Sequence, residues 1–167
     1  MRSHFFDQSQ GAELNKRLRA RVQTEAFDFG SEYTEFVAND RSAGAVASFV
    51  GRLRDLNEDE TIHALELEHY PGMTEKVMMK VLEEAHTRWP LLGANVVHRV
   101  GKLYPGDDIV LVLVSSAHRH DALQACTFIM DHLKTQATFW KKEATATGER
   151  WVKGRESDAQ AQARWKT

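Results

Sequence analysis

Alternating apolar and polar residues predict three β-strands, and an unbroken apolar run predicts a fourth. The alternation has a period of two residues and runs through 44–54, 61–70 and 94–103. Such a period places successive side chains on opposite faces of a sheet. Residues 108–116, DIVLVLVSS, form a continuous run rich in β-branched residues. A run of this kind is typical of a buried strand, so we expect it at the centre of a sheet.

Apolar residues that recur every three or four positions predict two longer amphipathic helices. The first spans 73–89 and ends before Pro90, because the residue that precedes a proline avoids the helical conformation. The second spans 118–134. A shorter helix is predicted over 31–38 with Ser31 as its N-cap, since a serine hydroxyl can accept a hydrogen bond from a free amide there.

The last part of the chain predicts a hairpin and, with the preceding elements, a fold class. Residues 139–144 and 150–152 have strand character and flank a turn around 147–149. The order of strands and helices, with several hairpins, indicates an α+β or mixed α/β domain rather than a doubly wound one.

Residues 1–26 are predicted to be an N-terminal extension that forms one amphipathic helix. Leu14, Leu18 and Val22 recur at helical spacing with Lys and Arg between them. Packing on a neighbouring subunit and simple disorder are both compatible with this pattern. The domain itself is expected to span 27–155, and 156–167 are expected to be a C-terminal tail.

Composition restricts the possible classes of protein. A length of 167 residues suits a single domain with a substantial hydrophobic core. The net charge of −2 argues against a dedicated nucleic-acid binder. No apolar run approaches the roughly 20 residues that span a bilayer, and the first residues lack the features of a secretion signal. A single cysteine fits a reducing cytoplasm, which is where we expect the protein.

The most unusual stretch in the chain is a basic segment at 134–155, KTQATFWKKEATATGERWVKGR. It contains six Lys and Arg against two Glu, although the whole chain is formally acidic. Phe139, Trp140 and Trp151 lie among the lysines. A solvated basic face is one interpretation; the other is a cationic pocket for an anionic ligand or an acidic partner tail.

Several common site motifs are absent from the sequence. It contains neither GxxxxGK[ST] nor GxGxxG, and Ser115–Ser116 lacks the glycines of a nucleophile elbow. His118 and His120 are separated by an arginine and have no HExxH or cysteine companion, so we expect no metal site. Cys126 lies on the apolar stripe of its helix, which favours core packing over reactivity.

Two further groups of residues suggest anion chemistry. Arg54 ends a strand, and His118 and Arg119 begin a helix directly after the buried strand, where free amides and the helix dipole favour an anion. Ordinary surface charge explains these residues equally well, as it does for Arg52.

Side-chain parity on the strand that begins at Phe139 divides its charged residues between two faces. Lys141 and Glu143 share one face, and Trp140 and Lys142 share the other. The Lys141–Glu143 pair fits either proton transfer or a surface salt bridge.

Six segments, in this order, resemble the catalytic large subunit of molybdopterin synthase. They are LEHYPGMTEK (67–76), HRVGKLYPGDD (98–108), SSAHR (115–119), FIMDHLKT (128–135), FWKKE (139–143) and ERWV…RES (149–157). The resemblance covers about Phe27 to Trp165. Lys142 stands where an arginine is common in that family, a change that preserves the charge.

This resemblance implies an α/β hammerhead fold with an additional antiparallel β subdomain. It implies an enzyme that converts cyclic pyranopterin monophosphate to molybdopterin and requires no cofactor. Two sulfurs, which form the dithiolene of the product, are expected from the C-terminal Gly-Gly thiocarboxylate of a small ubiquitin-like partner subunit. Two large subunits are expected to form a homodimer at the centre of a heterotetramer.

The resemblance also implies roles for individual residues. Lys134 and Lys141 match the central catalytic positions. Lys134 is expected to stabilise the developing oxyanion or the leaving carboxylate, and Lys141, with Glu143, to transfer protons. The expected substrate-binding residues are Arg52, Leu53, Arg54, His118, Arg119, Lys134, Lys141, Lys142 and Glu143. Phe49, Met130 and Arg155 are expected to line the site or the partner's tail.

Two other classes of function remain compatible with the residues. One is a non-catalytic adaptor that clamps a ubiquitin-like tail, which would not require Arg54, His118 and Arg119 together. The other is a phosphate-ester enzyme or nucleotide binder, against which the missing phosphate-loop and metal motifs count.

Overall fold

The computed structural model describes residues 17–57, 60–137 and 139–166, which form two β-sheets and four helices. This confirms the predicted α+β class. The strands are β1 (Leu18–Gln23), β2 (Ala45–Arg52), β3 (Leu56–Asn57), β4 (Glu60–His69), β5 (Leu91–Arg99), β6 (Gly101–Leu103), β7 (Asp108–Ser116), β8 (Phe139–Thr145) and β9 (Gly148–Val152). The helices are α1 (Phe29–Val37), α2 (Met73–Arg88), α3 (Arg119–Gln136) and α4 (Glu156–Ala163).

The first sheet has four strands in the order β1-β5-β7-β2. Strand β7 lies inside it, antiparallel to both neighbours, and every residue from Val110 to Ser116 is buried. The predicted central position of this apolar run is therefore confirmed. Strand β1 forms one edge of this sheet and pairs with β5 in the parallel direction.

Helices α2 and α3 cover one face of this sheet and form the main hydrophobic core with it. Met78, Leu82, Phe128 and Ile129 are completely or almost completely buried there. The apolar stripes that predicted these two helices therefore face the sheet.

The second sheet follows the order β3-β4-β8-β9, and β6 pairs with β4. All of its pairings are antiparallel, and the predicted hairpin of β8 and β9 is confirmed. Its inner face carries a smaller apolar cluster that includes Ile62, Leu65, Leu67 and Leu103. The end of α3 approaches this inner face, and the functional site lies there.

The predicted helix in residues 1–26 is wrong where the structure describes it. Residues 18–23 are strand β1, with Leu18 opposite Ala94 and Val22 opposite His98. Leu14 lies outside the described residues. Because β1 belongs to the main sheet, the expected boundary between an extension and the domain at residues 26 and 27 is also wrong.

The predicted strand over 94–103 is divided at Val100. Residue Gly101 has φ +82°, a left-handed conformation that glycine adopts without steric cost. At this point the chain leaves the first sheet as β5 and enters the second as β6. One periodic segment thus contributes to both sheets.

Two element ends also differ from the predictions. The first helix is capped by Asp28, whose Oδ1 accepts a hydrogen bond from the Ser31 amide at 2.7 Å, rather than by Ser31 itself. The expected tail contains helix α4. Asp131 Oδ2 accepts hydrogen bonds from Arg164 Nη2 at 2.5 Å and from Trp165 Nε1 at 2.7 Å, which hold the residues after α4 against α3.

None of the helices in the described ranges is long and apolar enough to span a membrane.

Candidate functional site

A cavity of about 270 Å³ is bounded by the end of α3, the start of α4 and the inner face of the second sheet. We call it the large cavity. A second cavity of about 130 Å³ adjoins it and is called the small cavity. The cations that line the large cavity are Arg52, Arg54, Lys134, Lys141, Lys153 and Arg155, and the acids are Glu143 and Asp158.

Lys134 and Lys141 line both cavities, so they lie where the two cavities meet. Lys134 is in the last turn of α3, where a cation interacts favourably with the helix dipole. Lys141 comes from β8, which pairs with β4 and faces the same space. The fold therefore brings together the two residues that were expected to be catalytic.

The surroundings of Lys141 make it a better proton donor than an ordinary lysine. Burial, and then the positive charge of Lys134, lower the pKa of Lys141 from 10.5 to about 8. The carboxylates of Asp158 and Glu143 oppose this effect. A lysine with a pKa near 8 can release and regain a proton close to neutral pH.

Glu143 lies on the same face of β8 as Lys141, as the side-chain parity predicted. Its carboxylate is buried and accepts hydrogen bonds from Asn57 Nδ2 at 2.7 Å and from Arg150 Nε and Nη2 at 3.2 and 3.1 Å. A buried carboxylate requires such partners, because its desolvation would otherwise destabilise the fold. These contacts link Glu143 to the cavity wall.

The segment that follows β2 forms another wall. The Leu53 amide donates to the carbonyl oxygen of Asp107 at 2.9 Å, and the Leu53 side chain is buried in the smaller apolar cluster. Arg52 Nε pairs with Asp108 Oδ1 at 2.7 Å. Arg54 is exposed and lines the large cavity. Among these three residues, Arg54 is therefore best placed to meet a ligand from solvent.

The start of α4 contributes residues that the sequence analysis missed. Lys153 and Asp158 line the large cavity, as does Asn57 from β3. Arg155 was expected at the site, and its Nη2 donates to Asn57 Oδ1 at 2.7 Å. The two acidic residues at the start of 156–163 are a helix-start signal that could have predicted α4.

The small cavity is more apolar and contains the expected Phe49 and Met130. It also contains His98 of β5, which was not predicted as a site residue. The His98 ring stacks on Phe139 with centroids 3.8 Å apart, and burial lowers the pKa of His98 to about 4. No local pattern predicted that His98 lines the small cavity, because His98 reaches this cavity only through the pairing of distant strands.

His118 and Arg119 do not join these cavities within one chain. They lie at the start of α3, and Lys134 lies near its end. At 1.5 Å per residue the helix separates Arg119 from Lys134 by about 22 Å. Both residues are exposed, so they are available to a neighbouring molecule.

Lys142 lies on the opposite face of β8 from Lys141 and outside both cavities. Its ammonium group is 3.1 Å from Glu149 Oε2 and 5.7 Å from the centre of the Trp151 ring. Glu149 raises the pKa of Lys142 by hydrogen bonding and charge attraction. The expectation that Lys142 contacts substrate in its own chain is therefore not supported by its position.

The arrangement can bind an anion and stabilise negative charge that develops beside the two lysines. Cys126 is buried and burial raises the pKa of its thiol to about 11, so it is a poor nucleophile. No group of three or more His, Cys, Asp and Glu side chains suited to a metal ion occurs within residues 17–57, 60–137 and 139–166.

Comparison with known proteins identifies the family of the chain. Residues 22–136 match the family described as MoaE protein. The chain is 54% identical over 145 residues to the molybdopterin synthase catalytic subunit of Ralstonia nicotianae, covering 87% of this chain and 82% of that protein. It is 52% identical over 144 residues to the molybdopterin synthase catalytic subunit of Escherichia coli, covering 86% of this chain and 95% of that protein.

A solved structure has the same fold. The molybdopterin cofactor biosynthesis protein E of Burkholderia multivorans superposes with a TM-score of 0.76 at 52% identity, covering 90% of this chain and 97% of that one. The lysine pair at the junction of the two cavities lies within a chain that matches these proteins over nearly its whole length. The chain therefore belongs to the MoaE family, the catalytic subunits of molybdopterin synthase.

Proposed function

We propose that this chain converts cyclic pyranopterin monophosphate to molybdopterin, using sulfur from the C-terminal thiocarboxylate of a small ubiquitin-like partner subunit. The observation that carries the proposal is the position of Lys134 and Lys141 at the junction of the two cavities. Both proposed ligands, a phosphorylated pterin and a thiocarboxylate, are anions that require cationic partners when they leave water.

The two cavities suit the two ligands. The large cavity presents Arg54, Lys153 and Arg155 in addition to the lysine pair, and the guanidinium groups of the two arginines suit phosphate well. The small cavity has apolar walls that include Phe49 and Met130, which suit an extended glycine tail without side chains. Their junction is then the place where sulfur meets the pterin.

The lysines have separate tasks in this scheme. In each of two sulfur transfers, the thiocarboxylate sulfur forms a bond to a pterin side-chain carbon while the bond from that carbon to its oxygen substituent breaks, and the departing oxygen keeps the bonding electron pair. Water then attacks the thioester carbonyl carbon. Lys134 stabilises the oxyanion that develops on this carbonyl oxygen. When the bond between the carbonyl carbon and sulfur breaks, the partner keeps a carboxylate and the pterin keeps the sulfur. Lys141 supplies and accepts protons, for which its pKa of about 8 is suitable.

His118 and Arg119 require a second copy of the chain in this proposal. Because about 22 Å of helix separates Arg119 from Lys134, these residues serve the site of the neighbouring protomer in a homodimer. One small subunit binds at each end of the dimer, which makes a heterotetramer. Light scattering of the chain alone and with its partner measures both states.

One experiment tests the enzyme against a non-catalytic adaptor. The chain is mixed with thiocarboxylated small subunit and cyclic pyranopterin monophosphate, and dithiolene product is measured by mass spectrometry. Small subunit with an ordinary carboxylate is the matched control and should yield none. If both ligands bind but no product forms, the chain is an adaptor and the proposed activity is wrong.

A further inference from the structure

Asn57 of β3 lies at the centre of a chain of hydrogen bonds in the wall of the large cavity. Its Nδ2 donates to Glu143 Oε1 at 2.7 Å, and its Oδ1 accepts from Arg155 Nη2 at 2.7 Å. All three side chains line this cavity. They come from β3, from β8 and from the residue directly before α4, so Asn57 connects three separate parts of the wall.

The charges of its two neighbours fix the orientation of the Asn57 amide. A carboxylate only accepts hydrogen bonds and a guanidinium group only donates them, so each end of the amide meets the partner that it requires. Both bonds involve a charged group, which makes them stronger than bonds between neutral groups. The side chain cannot rotate without breaking both bonds, and it therefore holds a defined position in the wall.

The position suits a short neutral amide better than a carboxylate or an apolar side chain. An aspartate would keep an acceptor for Arg155, but its carboxylate would lie against that of Glu143, and like charges at this distance repel. An apolar side chain would leave Glu143 Oε1 without this partner, although Glu143 is buried. The amide satisfies both neighbours at once.

A neutral partner also holds Arg155 without cancelling its charge. Two other arginines near the site have carboxylate partners. Arg52 Nε lies 2.7 Å from Asp108 Oδ1, and Arg150 Nη2 lies 3.1 Å from Glu143 Oε2. Arg155 forms no ion pair with a carboxylate in the part of the chain that the structure describes. Its positive charge therefore remains available to a ligand.

Arg155 has donors to spare and faces the larger of the two cavities. A guanidinium group has five N–H donors, and the bond to Asn57 uses one of them. The side chain is exposed and lines the large cavity, so the remaining donors are accessible from solvent. The described residues that line the small cavity do not include Arg155. An anion held by Arg155 is therefore one that occupies the large cavity.

We propose that Asn57 is a positioning residue, which holds the Arg155 guanidinium group towards the large cavity with its charge intact, so that it binds the phosphate of the pterin substrate. The identity of this anion rests on the proposed function, whereas the coupling between Asn57 and Arg155 does not. Because the task is to bind substrate rather than to transfer sulfur, loss of Asn57 should raise KM and leave kcat nearly unchanged.

A double-mutant cycle separates this role from the support that Asn57 gives to Glu143. Asn57→Ala removes both bonds, and Arg155→Ala removes the guanidinium group. An effect that passes through Arg155 disappears in the Arg155→Ala background, whereas an effect that passes through Glu143 persists there. Asn57→Ser takes the place of Asn57→Ala if that variant does not fold, because its hydroxyl can still donate but is too short to reach both partners.

Two further variants test the neutral partner and provide a control. Asn57→Asp keeps an acceptor for Arg155 and adds a negative charge beside it. Thr147→Val is the matched control, because Thr147 Oγ1 donates to Glu60 Oε1 at 3.2 Å and Glu60 pairs with Arg150 of the same network. Thr147 is not among the described residues that line either cavity.

Calorimetric titration with cyclic pyranopterin monophosphate measures the binding effects. Asn57→Ala should weaken binding about tenfold, the scale of one hydrogen bond to a charged group, but less than about twofold in the Arg155→Ala background. Asn57→Asp should also weaken binding, and Thr147→Val should not. An equal loss in both backgrounds overturns the proposal, as does unchanged binding in folded Asn57→Ala. Wild-type affinity in Asn57→Asp overturns the requirement for a neutral partner.

Steady-state kinetics with thiocarboxylated small subunit distinguish positioning from general damage to the site. Asn57→Ala should raise the KM for the pterin about tenfold and keep kcat within about twofold. Binding of the small subunit, titrated separately, should not change. A loss confined to small-subunit binding would place Arg155 on the carboxylate of the partner's tail and overturn the assignment to phosphate.

Urea unfolding of the same four proteins without any ligand keeps this inference separate from the proposed function. If Asn57 and Arg155 are coupled, the unfolding constant of the double variant should fall short of the product of the two single effects by at least about threefold. Independent effects would overturn the coupling. If the wild-type chain binds no pterin or makes no product, the proposed function fails, while the unfolding cycle still decides whether Asn57 holds Arg155.

Discussion

Replacing Lys141 by methionine should make the protein more stable and inactive. The pKa of Lys141 falls from 10.5 to about 8 because burial and Lys134 disfavour the charged form. At about 1.4 kcal/mol per pKa unit, this difference corresponds to about 3 kcal/mol of unfavourable free energy in the folded protein. Since a polar cavity surrounds part of the side chain, we expect Lys141→Met to gain about 1 to 3 kcal/mol at pH 7.

The stability that Lys141→Met gains over the wild type should decrease as the pH rises above 8. Below pH 8 the lysine is charged in both the folded and the unfolded chain, so the unfavourable free energy of the buried charge destabilises the folded wild type in full. Between pH 8 and 10.5 the unfolded chain binds more protons, and the stability of the wild type rises with pH. The advantage of Lys141→Met over the wild type should therefore shrink across this window.

Urea unfolding at pH 7 and at pH 10 measures the free energy of unfolding of both proteins. Lys80→Met, at an exposed position on α2, is the control and should change stability by less than about 0.5 kcal/mol. If Lys141→Met is no more stable than the wild type at pH 7, Lys141 is not held in an unfavourable charged state. The same conclusion follows if its advantage does not depend on pH.

Three other substitutions test the assigned roles. Lys134→Ala should abolish product formation while the small subunit still binds, as measured by calorimetry, because the oxyanion loses its cation; retained turnover would remove Lys134 from the mechanism. Arg119→Ala should weaken substrate binding more than partner binding when each ligand is titrated separately, and the opposite order would place Arg119 at the partner interface. Cys126→Ser should keep its activity within about tenfold, because the thiol is buried with a pKa of about 11; a larger loss in a folded variant would indicate a reactive cysteine.

The side-chain parity of β8 was predictable because it depends only on local geometry. A strand alternates its side chains whatever it packs against, so Lys141 and Glu143 had to lie opposite Trp140 and Lys142. The structure places the first pair towards the site and the second pair outside. The same local reasoning placed the buried strand β7 in the middle of its sheet.

The N-terminal segment shows where such reasoning fails. Leu14, Leu18 and Val22 are four residues apart, and four is close to a helical repeat but is also a multiple of two. The same positions therefore fit a strand, which is what residues 18–23 become beside β5. Strand formation depends on an available partner edge, which no local pattern reveals.

The sequence by itself determined the types of most elements, the concentration of cations in 134–155 and the face of β8 on which each lysine lies. Each of these follows from local periodicity or composition. Only the tertiary structure decided that the end of α3, the segment after β2 and the start of α4 meet around β8. It also decided that His98 and Lys141 line the same small cavity, because pairing between distant strands and the burial that changes a pKa arise only when the sheets and helices pack together.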